Sequence, residues 1–295
     1  MATNELREVR RSLGKLLRIH TQVTTTSAGN AAKTTFIATG LSDYFPAAAD
    51  IIGLYAHNQA AGEWRRVTAY NTSTFTATVN RAFTAQVGSA VVIDLYAVWD
   101  VTRLDQALGE ACSETYPDLM NTLIDESLTT IAETYEYTQP AAILDLHREW
   151  GAKVWYKTAS SIATFPYEEV HGWSVRDDEG VRKIVIPGIL PASRTIRVRG
   201  FAPYTVPSTD TATFPLTDHQ IRMLLYKAAA ILYLGESNEN AQDRNFTREQ
   251  AQLFEAKYKY AAVTIPTLLE PGSIRSPGAD ASRRSGDIAE YADPL

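Results

Sequence analysis

The sequence is poor in cysteine: Cys112 is the only one among 295 residues. A single thiol cannot form an intramolecular disulfide, and it cannot supply a cysteine-rich zinc or redox site. The chain must therefore be held together by side-chain packing, which suits a reducing cytoplasm. Cys112 lies on the apolar side of a predicted helix, so we interpret it as a buried structural thiol and not as a nucleophile.

Long hydrophobic runs are also missing. The sequence has no apolar stretch of about 18 residues, the length that a membrane span needs. Its first residues also lack the apolar run of a secretory signal. The formal net charge of -6 makes the whole molecule a poor candidate for wrapping nucleic acid, although local basic patches are possible. We therefore expect no membrane association and no general nucleic-acid binding.

The motifs of common enzymes are absent as well. The five histidines are scattered singly, with no pair at the spacing of a helical zinc site. No glycine-rich phosphate loop is followed by Lys-Ser or Lys-Thr, and no serine has a nucleophile-elbow context. We predict no catalytic site, no metal and no cofactor. Distant carboxylates could still pair in a hydrolase, and that alternative stays open.

The first 20 residues predict a short basic amphipathic helix. Apolar residues recur at helical spacing from Leu6 to Leu17, and basic residues cover most of the remaining surface. Such a helix either packs on its own chain or contacts an acidic partner subunit, and we name Arg7, Arg10 and Arg11 as candidate partner contacts. A membrane-surface helix is less favoured because the apolar face has no aromatic anchor.

Residues 21–99 are rich in Thr, Ala, Ser and aromatic residues and predict β structure. Alternating residues from Arg65 to Val79, with a turn at Asn71-Thr72-Ser73, predict a hairpin. The nearly continuous apolar run from Ala90 to Tyr96 is typical of a strand covered on both faces. We predict a small β-sandwich or β-barrel.

Helical spacing returns at Asp100, where Thr102 and Asp105 have capping-box spacing, and Pro117 is expected to end or kink this helix. A second short helix is predicted around Asp118 to Glu126. From Thr129 to Tyr137 the composition is again rich in β-forming residues, which predicts β structure there.

A second β section is predicted from Ile143 to Phe201. It contains a hairpin closed by the turn Asp177-Asp178-Glu179-Gly180. The three acids could suggest a calcium site, but the glycine-terminated turn explains them more simply. The strand Thr195 to Arg199 places Arg197 and Arg199 on its polar face, which is either solvated or a subunit contact.

Two helices and a tail complete the chain. Thr217 with Gln220, and Thr247 with Gln250, have capping-box spacing, and Gly235 is placed as a C-terminal cap of the first helix. Beyond Pro266 the composition cannot build a core. We predict an extended tail that is disordered or becomes ordered on a neighbouring subunit, with these apolar anchors as candidate contacts: Ile274, Ile288, Tyr291 and Leu295.

This order of elements resembles the adaptor proteins of the tailed-bacteriophage neck. The likeness covers roughly residues 100–263 and includes the helix from Asp100 to Tyr116, the β-rich middle and the strand from Thr195 to Phe201. It continues through Pro203-Tyr204 and Phe214-Pro215-Leu216-Thr217 to the helix with the alanine run Lys227-Ala228-Ala229-Ala230. Residues 21–99 depart from the minimal family pattern and look like an additional domain.

The resemblance implies a structural protein of the virion neck, assembled in the host cytoplasm. It implies a ring of about twelve subunits between the portal protein and the tail or the stopper and nozzle proteins. DNA would pass through the ring during genome ejection without sequence-specific binding. A net negative charge is consistent with a channel wall that repels the genome.

We therefore predict an α+β protein with a helical bundle core, a β-rich middle section, an additional N-terminal β-sandwich or barrel and an extended C-terminal arm. The predicted divisions are 1–20 for the amphipathic helix, 21–99 for the β-rich domain, 100–265 for the adaptor core and 266–295 for the tail. The alternative is a β-rich carbohydrate- or host-binding module of a phage fibre or appendage. It rests on aromatic residues that could form a sugar-binding surface: Tyr44, Tyr55 and Trp64.

Overall fold

A computed structural model of the chain describes residues 4–158, 167–239 and 244–264, without the side chains of 237–239. It confirms the mixed α+β class, and all of its strand pairings are antiparallel. The α-helices are α1 Leu6–Leu16, α2 Leu41–Tyr44, α3 Ala48–Ile51, α4 Val101–Glu114, α5 Asp218–Glu239 and α6 Arg244–Thr264. The strands are β1 His20–Thr24, β2 Thr35–Ile37, β3 Tyr55–Asn58, β4 Glu63–Asn71, β5 Thr76–Val79, β6 Val92–Tyr96, β7 Asn121–Thr129, β8 Glu136–Thr138, β9 Lys153–Lys157, β10 Tyr167–Glu169, β11 Ser174–Asp178, β12 Val181–Val185 and β13 Thr195–Ala202.

The described residues form two compact units. The first contains the chain up to Thr115 together with the residues from Thr205 onward, and the second is Tyr116–Tyr204. Helices α4, α5 and α6 thus group with the β-rich region 21–99. The predicted boundaries instead placed these helices in one domain with the strands of the second unit.

The first unit contains a six-stranded sheet in the order β1-β6-β3-β4-β5-β2. Strands β1 and β2 are the two edges of this sheet. The Thr26 amide, just after β1, donates a 2.9 Å hydrogen bond to the Ile37 carbonyl of β2, so the two edges are joined at this point. Apolar side chains from all six strands share one core, with members that include Val23, Phe36, Ala56, Val67, Ala77 and Leu95.

The predicted hairpin is confirmed as β4 and β5. The Asn71 carboxamide oxygen accepts hydrogen bonds from the Ser73 and Thr74 amides in its turn. The simple alternation along β4 is wrong, because an irregularity between Val67 and Ala69 shifts the register. Val67 and Tyr70 are therefore both buried.

The helices of the first unit pack mainly through α5. It contacts α1, α4 and α6, and its buried residues lie on several sides of the helix: Ile221, Met223, Leu224, Leu225, Ala228, Ala229, Ala230 and Leu232. Helix α1 buries Leu6, Val9 and Leu13 within its own unit. The hypothesis that α1 packs on its own chain is thus confirmed. No described helix is both long enough and apolar enough to cross a membrane.

One of the three predicted N-caps is confirmed. The Gln220 side-chain oxygen accepts a 2.9 Å hydrogen bond from the Thr217 amide, and the Gln220 amide donates to Thr217 Oγ1 at 3.4 Å. The prediction for α4 is wrong, because Asp100 caps this helix by accepting a 2.8 Å hydrogen bond from the Arg103 amide. Because the helix already begins at Val101, Thr102 lies inside its first turn and cannot be the cap, and Asp105 lies beyond the position that a capping-box partner would occupy.

Two further boundary predictions are wrong. Helix α6 begins at Arg244, so Thr247 lies in its first turn and donates its hydroxyl to the Arg244 carbonyl at 3.1 Å. Gly235 lies inside α5, which continues to Glu239. A Cβ atom at Gly235 would come within 2.5 Å of the Arg103 guanidinium, so the small residue leaves space for a neighbouring side chain and does not end the helix.

The second unit contains a four-stranded sheet, β10-β9-β13-β7, and a three-stranded sheet, β11-β12-β8. The helix predicted around Asp118 to Glu126 is wrong, because Asn121–Thr129 forms strand β7 beside β13. Leu119, Met120, Leu123 and Ile124 do have helical spacing, but the pairing with β13 satisfies the backbone of this segment in extended form. The β11–β12 hairpin is confirmed, with the Gly180 amide donating to Asp177 Oδ1 at 3.0 Å in its turn. Both sheets contribute to one core, which contains Tyr137, Val154, Trp173, Ile184, Ile196, Val198 and Phe201.

Candidate functional site

The most unusual feature of the first unit is a group of charged side chains enclosed between α1, the sheet and α4. We call it the buried ionic cluster, and it consists of Arg10, Arg11, His20, His57, Asp94, Asp105 and Asp210. Its members come from α1, β1, β3, β6, α4 and the segment before α5. Residues that are far apart in the sequence therefore meet at one place.

Arg10 connects two carboxylates in this cluster. Its Nε and Nη2 atoms donate to the two oxygens of Asp105 at 2.9 and 3.0 Å, and Nη2 also donates to Asp210 Oδ1 at 3.0 Å. The side chain is only 2% exposed. The bidentate hydrogen bonds to Asp105 and the further bond to Asp210 compensate the guanidinium for its lost hydration.

Asp94 forms the other half of the cluster. His20 Nε2 lies 2.9 Å from its Oδ1 atom, and the Arg11 Nε atom donates to the same oxygen at 3.1 Å. The Gln59 side-chain amide donates to Oδ2 at 2.6 Å. His57 lies between the two halves, with Nε2 3.2 Å from Asp210 Oδ2 and Nδ1 4.0 Å from Asp94 Oδ2.

These contacts shift the ionisation of the cluster. Burial opposes the charged form of Asp94, but the hydrogen bond with His20 and the nearby His57 and Arg11 outweigh it and hold its pKa well below the usual range. The close contact with His57 is the main reason that the pKa of Asp210 falls to about 2, and Arg10 lowers it further. Burial works against the charge of His57, yet Asp210 and Asp94 raise its pKa above the ordinary histidine value. For Asp105 burial dominates and raises the pKa despite the contact with Arg10.

The cluster can hold elements together but is poorly placed for catalysis. His57 and Asp94 are each 1% exposed, so a substrate could not reach them without opening the unit. Its physical role is to connect α1, the sheet, α4 and the segment before α5 through paired charges. The patterns along the chain gave no indication of a site at His20, His57 or Asp210. Only Asp94 gave a signal, because it is a charged residue inside the otherwise apolar run of β6.

The predicted contact arginines of α1 are therefore used largely within the chain. Arg10 is enclosed, and Arg11 pairs with Asp94 and with Glu8 on its own helix. Arg7 pairs with Glu5 at 2.6 Å and keeps a side chain that is 33% exposed. Of the three, Arg7 is the best placed for a contact outside the unit.

No protein-family model matches the chain, and no curated protein matches it either.

The two predicted arginines of β13 lie in the second unit. Arg197 is 3.3 Å from Glu126, and its guanidinium carbon lies 5.1 Å from the centre of the Tyr167 ring. Arg199 is partly buried on the same strand. Ile196 and Val198 point to the core, so the predicted division of this strand into an apolar and a polar face is confirmed. The anchors Ile274, Ile288, Tyr291 and Leu295 lie outside the described residues.

A pocket of about 400 Å³ also lies in the second unit. Its apolar wall includes the buried Trp173, and the Arg148 guanidinium lies over that ring at 4.5 Å. Lys153 and Glu169 form a 3.1 Å ion pair in its lining. The arginine covers the aromatic face and the lysine is already paired with an acid, so the pocket presents no strong charge of one sign to a ligand.

The remaining candidate residues have ordinary environments. Cys112 is buried, and desolvation raises its pKa to about 12, which keeps the thiol protonated. Tyr55 and Trp64 pack edge to face at 5.6 Å and do not form a flat sugar platform, while Tyr44 is well exposed. Within the described ranges, no three His, Cys, Asp or Glu side chains are grouped so that they could hold a metal ion.

Proposed function

We propose that this protein is a structural component of a tailed-bacteriophage virion: an adaptor, in the head-to-tail connector ring, between the portal vertex and the tail. In this role it lines the channel through which DNA leaves the capsid. It binds the portal protein, adjacent adaptor subunits and the tail or nozzle proteins.

The observation that carries the proposal is the order of elements from β13 to α6. Strand β13 leads into the segment with Pro203, Pro207 and Pro215, and then into the 22-residue α5. The alanine run of α5 is buried, and the helix packs against both α4 and α6. This succession is the one on which the resemblance to neck adaptors rests.

A finer domain arrangement belongs to the same proposal. The helices α4, α5 and α6 form the adaptor core, and residues 21–99 form an additional small barrel. The return of the chain from β1 to β2 through the Thr26–Ile37 hydrogen bond supports a closed sheet. Residues 266–295 form an extended arm that reaches a neighbouring chain.

The proposal is tested by locating the protein on virions that contain it. An antibody fragment raised against the purified chain is added to particles, and the label is mapped by cryo-electron microscopy without imposed symmetry. We expect the label at the single vertex that carries the tail. A fragment against the major capsid protein serves as the control and should label all faces. Label on capsid faces or on fibre tips would contradict the adaptor role, and fibre tips would favour the binding-module alternative.

A further inference from the structure

One side of α6 exposes a line of large apolar side chains. Phe246, Leu253 and Tyr260 are spaced seven residues apart, and Val263 follows within the next turn; we call these four residues the α6 stripe. Their exposed fractions are 58%, 46%, 74% and 47%. Half-exposed apolar side chains aligned on one helix are typical of an interaction surface, whereas single exposed ones are common on any protein.

The stripe is separate from the face that α6 uses inside its own unit. That face buries Thr247, Ala251, Phe254, Tyr258 and Ala261 in the packing with α5. At 100° per residue the stripe lies roughly 100–160° around the helix from the buried face. Its members therefore cannot join the α5–α6 contact without rotation of the helix.

The shape of the stripe indicates an elongated partner. Seven-residue spacing keeps the side chains in line, and the distance from Phe246 to Val263 is about 26 Å at 1.5 Å per residue. An extended peptide of about 8 residues covers this length. The stripe thus fits a peptide segment laid along α6 better than the corner of a globular domain.

We propose that the α6 stripe binds the C-terminal segment, residues 265–295, of a second copy of this chain. That segment starts where the described part of α6 ends, and its sequence contains apolar anchors: Leu268, Leu269, Ile274, Ile288, Tyr291 and Leu295. It is several times longer than the stripe, so it can both leave its own subunit and cover the stripe of another.

The assignment to a second copy rests on the proposed function. In a ring, every subunit has the same neighbour on the same side, so an arm that reaches forward onto the next α6 forms a closing head-to-tail contact. The contact would couple each adaptor to the next without requiring a stable complex in dilute solution.

The direct test is peptide binding to the full-length protein. A fluorescein-labelled synthetic peptide of residues 265–295 is titrated with the full chain, and its fluorescence anisotropy is measured. We expect saturable binding that weakens at least about tenfold in the double variant Leu253→Ser with Tyr260→Ser, because two anchors of the stripe are removed. The matched control is Arg248→Ser with Lys259→Ser, which changes two exposed residues about 100–140° around α6 from Leu253 and Tyr260 and should bind like the parent. Circular dichroism must show unchanged helix content in both variants.

A crosslinking measurement separates the arm of a neighbour from the chain's own arm. Phe246 is replaced by photoactivatable benzoylphenylalanine, and nitrogen-15-labelled chains are mixed with unlabelled ones before illumination. Crosslinked peptides that join a labelled to an unlabelled chain, within residues 265–295, support the proposal. Crosslinks confined to single chains would contradict the second-copy assignment.

The failures of the two proposals are distinguishable. Absence of saturable peptide binding, or equal binding by the stripe variant and the control, would overturn the stripe proposal, even if the protein were found at the tail vertex. Peptide binding that depends on the stripe would stand if the virion label instead appeared at fibre tips, and the adaptor role alone would then fail.

Discussion

Arg10 shows at the scale of single residues how this chain uses charge. A guanidinium enclosed by protein is costly unless carboxylates compensate for the lost water, and here Asp105 and Asp210 do so. Charged residues on an amphipathic helix usually remain at its surface. The pairing of Arg10 with residues from two other segments explains why this arginine lies on the inner side of α1.

Replacement of Arg10 by alanine should strongly destabilise the first unit. The variant removes the guanidinium from Asp105 and leaves Asp210 with His57 alone; breaking a fully buried ion pair costs about 3–5 kcal/mol, and the partial exposure of the two acids places the expected loss at about 3 kcal/mol. Chemical denaturation followed by circular dichroism measures the free energy of unfolding. Arg7→Ala is the matched control on the same helix and should cost under about 1 kcal/mol, because the Arg7–Glu5 pair is partly solvated. Equal losses in the two variants would show that the cluster adds no specific stabilisation.

His57 should make the stability depend on pH. Its pKa in the folded protein is raised by Asp210 and Asp94 above the unfolded value, so the folded state binds the proton more tightly. The contribution of His57 is complete below the unfolded pKa of about 6.5 and is lost as the pH rises through the folded pKa. We therefore expect the free energy of unfolding to decrease from near neutral pH upward.

The comparison of two histidine variants tests this pH effect. His57→Gln should flatten the decrease, whereas His171→Gln, at an exposed position, should keep it. The measurement is a series of urea denaturation curves between about pH 6 and pH 9, on either side of the ordinary histidine pKa. Parallel pH profiles for the parent and the His57 variant would refute the assignment.

At the scale of elements, α5 organises the helical part of the first unit. It contacts α1, α4 and α6, and its hydrophobic residues are not confined to one narrow face. Such a helix is typical of the centre of a bundle. The Lys227 ammonium extends to Glu114 on α4 and Glu255 on α6, each at 3.0 Å, so ion pairs at its edge connect the same helices.

Leu225→Asp should unfold the first unit or prevent accumulation of the protein. Leu225 is 8% exposed, and burying a carboxylate there without a partner costs more than about 3 kcal/mol. The matched variant Leu234→Asp introduces the same charge on the same helix at a site that is 54% exposed and should be tolerated. Soluble yield and melting temperature measure both effects. A normal melting temperature for Leu225→Asp would indicate that this face opens to solvent.

At the scale of the whole molecule, the balance between charge and exposed apolar surface governs association. The net charge of -6 opposes the approach of identical chains, while the α6 stripe favours it. In the proposed connector, contacts with the portal protein hold the subunits next to each other. Weak contacts between neighbours then become effective because their local concentration is high.

The purified protein should accordingly be a monomer or a weak oligomer that forms a ring only with its partner. Light scattering coupled to size-exclusion chromatography measures the mass at micromolar concentration. Raised salt should increase association slightly, because it screens the repulsion between like-charged chains. A stable ring of about a dozen subunits without the portal protein would contradict this prediction.

The sequence by itself determined the features that depend on neighbouring residues. Periodic apolar positions predicted α1, α4 and α5, alternation with turn residues predicted the β4–β5 and β11–β12 hairpins, and Thr217 with Gln220 predicted the start of α5. These features arise from local geometry, so the residues that decide them lie within a few positions of each other. The single cysteine and the net charge likewise follow from composition alone.

Only the tertiary structure decided features that depend on distant residues. Asn121–Thr129 is a strand because β13 pairs with it, and Gly235 lies inside α5, where the missing Cβ leaves room for the Arg103 guanidinium. The buried ionic cluster joins residues as far apart as Arg10 and Asp210, whose local sequence gives no sign of a partner. Charge pairing and sheet pairing act through space, so a pattern of spacing along the chain cannot reveal which distant segments meet.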